Sequence, residues 1–141
     1  MKALVSSLFD YLTTTLAPTT SGGPTVYLEQ APPTATFPFV TFRLTNSFEI
    51  ERREDYQMTV DVWDNMEQST DPTYIDTLVR QIDGNGDIFS PTGLHRLQHY
   101  STTTPSFRIY REAKWMVPDP EPSIRRRHIR YRVVTYDTTS S

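Results

Sequence analysis

One hundred and forty-one residues with a formal net charge of −3 suffice for one hydrophobic core and are too few for two. The chain has no cysteine, which excludes disulfides, thiolate metal sites and cysteine nucleophiles. Hydrophobic residues make up 36% and charged residues 22%, and no window approaches the roughly 18 apolar residues of a bilayer span, so a soluble globular chain without membrane contact is expected.

The opening stretch MKALVSSLFDYLTTTLA places Leu4, Leu8, Leu12 and Leu16 four residues apart, with Val5 and Phe9 alongside. This spacing predicts an amphipathic helix of about four turns, with Leu8 and Leu12 facing the core. Ser6, Ser7, Asp10 and Thr13–Thr15 interrupt the apolar run, so it is not the continuous core of a signal peptide. Pro18 ends the helix and TTSGGP makes a turn. Thr25–Glu29 is predicted to be a short strand, followed by a connection at Gln30–Thr36 too rich in proline for a central strand. Phe37–Thr45 is the next strand, whose start Pro38 confines to a sheet edge or to the strand's first residues. Tyr56–Asp64 alternates: Tyr56, Met58, Val60 and Val62 point one way, Gln57, Thr59, Asp61 and Trp63 the other. Between these strands Asn46–Asp55 forms an extended hairpin end.

Asp71-Pro72 is a helix-start signal, because aspartate accepts from free amides and proline suits the first helical position. Tyr74, Ile75, Leu78, Val79 and Ile82 supply the periodicity, and Gly84 the stop. Ile88–Tyr100 contains a Ser-Pro-Thr-Gly turn and ends in a short strand. Phe107, Ile109, Ala113, Trp115 and Val117 are assigned to one face of a further strand, with Arg108, Tyr110, Glu112 and Lys114 on the other. Pro118–Ser123 reads as a stiff exposed loop, and Arg126–Tyr136 as a terminal strand rich in β-branched and aromatic residues. The expected fold is α+β: two amphipathic helices packed on a mainly antiparallel sheet of about five to six strands. Residues 1–136 make a single domain and 137–141 a flexible tail.

No constellation points to chemistry. Asp83-Gly84-Asn85-Gly86-Asp87 lacks the sixth-position glycine and twelfth-position glutamate of a calcium loop, where Ile88 and Leu94 stand, and reads as a helix-ending turn. His95, His99 and His128 lack an HExxH context and read as surface residues. Nucleophile elbows, P-loops and dinucleotide fingerprints are missing from the sequence. The paired carboxylates Glu49/Glu51 and Glu54/Asp55 sit beside Arg52 and Arg53, as a solvated hairpin end would. A protein that is not an enzyme and carries no cofactor or metal is expected.

Charge is the more informative signal. Through Thr92 there are 13 acids and 5 bases, net −8, and from Gly93 onward 9 bases and 4 acids, net +5. Arg125, Arg126, Arg127, Arg130 and Arg132 fall within eight residues. On a strand, Arg126, Arg130 and Arg132 share a face with His128, while Arg125 and Arg127 share the other with Ile129, Tyr131 and Val133. Such arginines either bind phosphates or pair with carboxylates in the fold or on a neighbouring subunit; an acidic chain favours carboxylates. The interface candidates are Arg126, Arg130 and Arg132, meeting Glu49, Glu51, Glu54 and Asp55 of a neighbour, or its Asp61, Asp64 and Glu67.

The succession MKALVSSLFDYL, EQAPPTATFPFVTFRL, YQMTVDVWD, DPTYIDTLVRQI and RRHIRYRVV resembles the tail-terminator (tail-completion) proteins of long-tailed bacteriophages. The resemblance implies a structural virion protein, made in the host cytoplasm and located at the head–tail interface. It implies a homo-oligomeric ring, a hexamer, that caps the tail-tube protein and docks the head-side connector or stopper protein, with DNA passing only transiently through its channel. Alternatives are a head-closure or adaptor component, a tail-tube subunit, or a small nucleic-acid-binding module.

Overall fold

In the computed structural model, residues 2–16, 24–50, 53–66, 73–87, 89–100, 106–118, 120–121 and 123–136 are described, with the main chain alone at 2–4, 14–16 and 46–50. The elements run α1 (Lys2–Leu16), β1 (Thr25–Leu28), β2 (Phe39–Ile50), β3 (Arg53–Asn65), α2 (Tyr74–Asp83), β4 (Gln98–His99), β5 (Ser106–Val117) and β6 (Ile124–Tyr136). The architecture is α+β. Six strands form one sheet in the order β1-β2-β3-β6-β5-β4. Every neighbouring pair is antiparallel except β1 and β2, which run parallel.

Leu8 and Leu12 are fully buried, as their spacing predicts. They belong to one cluster with Ile75, Leu78, Val79 and Ile82 of α2 and with Val40, Phe42, Met58, Val60, Val62, Ile109, Ile129, Tyr131 and Val133 of the sheet. The alternation expected in β3 is present: Tyr56, Met58, Val60 and Val62 are buried on what we call the core face. The connection at 30–36 forms no strand, and β2 begins immediately after Pro38. β2 continues to Ile50, with an irregularity between Asn46 and Phe48, and pairs back onto Arg53. Asp71 and Pro72 lie outside the described residues. Thr73 stands at the N-cap of α2 without a side-chain capping bond.

At its far end α2 stops at Gly84, whose positive φ of 84° suits glycine and whose amide donates to the Arg80 carbonyl. Gly93 crosses directly against it, so a Cβ on either glycine would collide with the other's backbone. This close approach lets Leu94 and His95 donate to the carbonyls of Ile82 and Asp83 at 2.7 and 2.9 Å. The loop between is closed by Asn85, whose Oδ1 accepts from the amides of Asp87 and Thr92 at 3.0 and 3.2 Å.

The face assignment in β5 requires correction. Phe107 and Ile109 are buried, but Trp115 is 42% exposed and lies against His128, on the opposite face from Ile109. A register shift between Arg111 and Ala113 is the cause. One extra residue in a strand inverts every later side chain. Lys114 and Met116, in register with Ile129 and Arg127, therefore take the core-face side.

Candidate interaction surfaces

β3 lies beside β6 over its whole length, so the acidic and basic parts of the sequence meet inside one chain. On the outer face, Asp61 accepts from Arg126 Nε at 3.0 Å and faces His128 Nδ1 at 2.6 Å. The Arg126 guanidinium also lies 4.5 Å over the Trp63 ring, which stacks on Phe39. Asp55, 1% exposed, is held by Arg53 at 2.8 Å and by Arg132. These two guanidiniums, Arg53 first, hold its carboxyl below the ordinary carboxylate range. Arg130 lies 3.9 Å from Glu112 and 5.9 Å from the Trp115 ring.

The core-face arginines are engaged likewise. Arg125 reaches Asp64 at 3.0 Å and Arg127 reaches Asp76 of α2 at 3.2 Å. The face division expected for Arg125–Val133 is thus present, and each of the five arginines from Arg125 to Arg132 meets a carboxylate. For Arg126 and Arg132 those partners stand in the same chain, as do Asp61 and Asp64. The side chains of Glu49, Glu51 and Glu67 lie outside the described residues. Glu54 accepts from the Tyr56 hydroxyl.

A second cluster had no sequence signal. Asp83, 4% exposed at the end of α2, accepts from the Tyr131 hydroxyl at 2.9 Å and pairs with Arg111. Burial, with Asp83 adding to it, raises the Tyr131 pKa far above the ordinary phenol value. Arg111 in turn donates its amide to His95 Nδ1 at 3.0 Å. That imidazole is accordingly held as a neutral acceptor, and desolvation lowers its pKa.

Beside this cluster runs an open groove of about 500 Å³ lined by residues including Arg80, Lys114, Trp115, Met116 and Arg127. Arg80 and Lys114 have no ion-pair partner among the described residues, unlike the other cations there. Met116 is 69% exposed. β4 pairs only with Phe107 and Arg108, so on the side away from β6 the stretch of β5 from Lys114 to Val117 has no strand beside it among the described residues. The opposite sheet edge is β1, with exposed Leu28 and Glu29 at its end.

Among the described residues no group of three His, Asp or Glu could hold a metal, and no helix there is long and apolar enough to cross a membrane. No protein-family model matches the sequence, and no curated protein matches it.

Proposed function

We propose that this protein is a structural subunit of a phage tail, a terminator whose copies close into a ring that caps the tail tube and docks the head-side connector. In this reading the two helices cover the core face of the sheet, and assembly uses its open ends. The observation that carries the proposal is the sheet's two unfinished edges among the described residues: four-residue β1 on one side and, on the other, the end of β5 left open on its side away from β6. Unpaired strand edges invite pairing with another chain unless they are blocked or covered. Two different edges on one subunit give head-to-tail contacts, which form rings when the rotation closes. The terminator identity rests on the resemblance in the order of sequence segments, and a chain of part-buried ion pairs, with no convergent reactive groups among the described residues, suits a scaffold.

The nucleic-acid alternative is less well supported, because the arginines that would meet phosphates are occupied by Asp55, Asp61, Asp64 and Asp76. Light scattering on the purified protein tests the reading. A mass several times the 16.3 kDa of one chain is expected, with rings enclosing a channel in negative-stain images. A monomer at every concentration and salt would refute it.

A further inference from the structure

We infer that neighbouring copies join sheet edge to sheet edge, with β1 of one copy pairing antiparallel to residues 114–117 of β5 in the next. This rests on the self-assembling reading and specifies its joint. The register across the sheet carries the argument. Leu28, Phe42, Val60, Ile129 and Lys114 form one continuous row from edge to edge. Tyr27, Thr41, Asp61, His128 and Trp115 form the next, and Val26 and Thr25 lead likewise to Met116 and Val117. The free segment of β5 therefore stands level with β1, residue for residue. Both segments are four residues long.

Direction agrees as well. β1 runs with β2, against β3, with β6 and against β5. Setting the β1 of a second copy beside β5 thus extends the sheet by an antiparallel pair, with faces preserved. Carrying the hydrogen-bond alternation from Ile109, whose amide donates away from β6 to Leu97, through the register shift leaves the amides of Lys114 and Met116 pointing to the open edge.

The edges are also complementary in chemistry. The groove along the β5 edge carries Lys114 and, from α2, Arg80, neither ion-paired among the described residues, with exposed Trp115 and Met116. The β1 edge carries exposed Leu28 and Glu29, and beside it α1 presents exposed Phe9 and Asp10. Neither acid has an ion-pair partner among the described residues. A lysine on an open edge discourages indiscriminate strand pairing; an acidic partner edge relieves that penalty and selects the second copy. Continuing the rows sets Leu28 of one copy opposite Lys114 of the next, one residue from Glu29.

The native absence of cysteine makes the test clean. Tyr27 and Trp115 of one chain are four strand spacings apart, about 19 Å, whereas a disulfide requires Cα atoms within about 7 Å. Mild oxidation of the Tyr27→Cys/Trp115→Cys variant is therefore expected to give a reductant-sensitive ladder of covalent multimers, and each single variant none. The Thr25→Cys/Val117→Cys pair repeats the experiment without disturbing the Trp115–His128 contact. Independently, Lys114→Glu is expected to reduce assembly at least tenfold at low salt with unchanged far-ultraviolet dichroism, and Glu29→Lys in the same chain to restore it. An assembled wild type with no ladder from either pair and an unaffected Lys114→Glu would overturn the joint while leaving the ring. A wild type that never assembles would overturn both.

Discussion

The Tyr131 hydroxyl donates a 2.9 Å hydrogen bond to Asp83, tying β6 to the last residue of α2 inside the core. Arg111 holds the other carboxylate oxygen. Tyr131→Phe removes this buried neutral donor to the carboxylate and is expected to cost about 1–3 kcal/mol. Because the folded-state pKa of Tyr131 is raised, its contribution is complete below the ordinary tyrosine value of about 10 and declines as pH rises above it. Urea unfolding at pH 7 and pH 10.5 checks this: the wild type loses more stability between the two than Tyr131→Phe does.

Asp55 behaves in the opposite sense. Its folded-state pKa is lowered by Arg53 and Arg132, so its contribution is present above the ordinary carboxylate value of about 3.9 and is lost as pH falls below it. Both arginines are more than two-fifths exposed, which tempers the effect. Asp55→Asn is expected to destabilise by about 1–3 kcal/mol at neutral pH and to flatten the acid limb of a melting-temperature profile.

His95 starts from an ordinary value nearer neutrality. Burial lowers its pKa, and its Nδ1 can accept from the Arg111 amide only while unprotonated. The resulting stability is present above about pH 6.5 and falls away as pH drops through the folded value. His95→Asn, which keeps an acceptor on a short side chain, is expected to show a smaller difference in melting temperature between pH 7.5 and pH 5 than the wild type.

The crossing of Gly84 and Gly93 leaves no room for a side chain. Gly93→Ala pushes a methyl group into the backbone of Gly84 and is expected to cost about 1–3 kcal/mol, read as a lowered denaturation midpoint with an unchanged slope. An unchanged midpoint would mean the two segments separate without penalty.

Reversing the outer-face arginines tests the chain itself before it tests assembly. Arg126→Glu sets a carboxylate against Asp61, and Arg132→Glu sets one against Asp55. The triple variant with Arg130→Glu is therefore expected to lose native dichroism or melt well below the wild type. Full retention of the melting temperature would show that these pairs contribute little.

Local periodicity made much of this protein legible from its residues. The leucine spacing located α1 and its buried face, period-two alternation located β3 and its inward residues, and Gly84 marked the end of α2 because a left-handed φ there is cheap only for glycine. These signals work because neighbours in sequence determine them. The bulge in β5 was invisible for the complementary reason: one extra residue leaves composition untouched and changes only which partner each later residue faces, so Trp115 and Lys114 exchanged sides. The arginine run announced carboxylate partners without naming them. Asp61 and Asp64 became those partners only because β6 inserts between β3 and β5, a pairing between segments some sixty residues apart. The Asp83–Tyr131–Arg111 cluster likewise exists only where α2, β5 and β6 converge. Strand identity was written in the chain's local pattern, whereas strand order, and with it the partner of every charge, was decided by long-range packing.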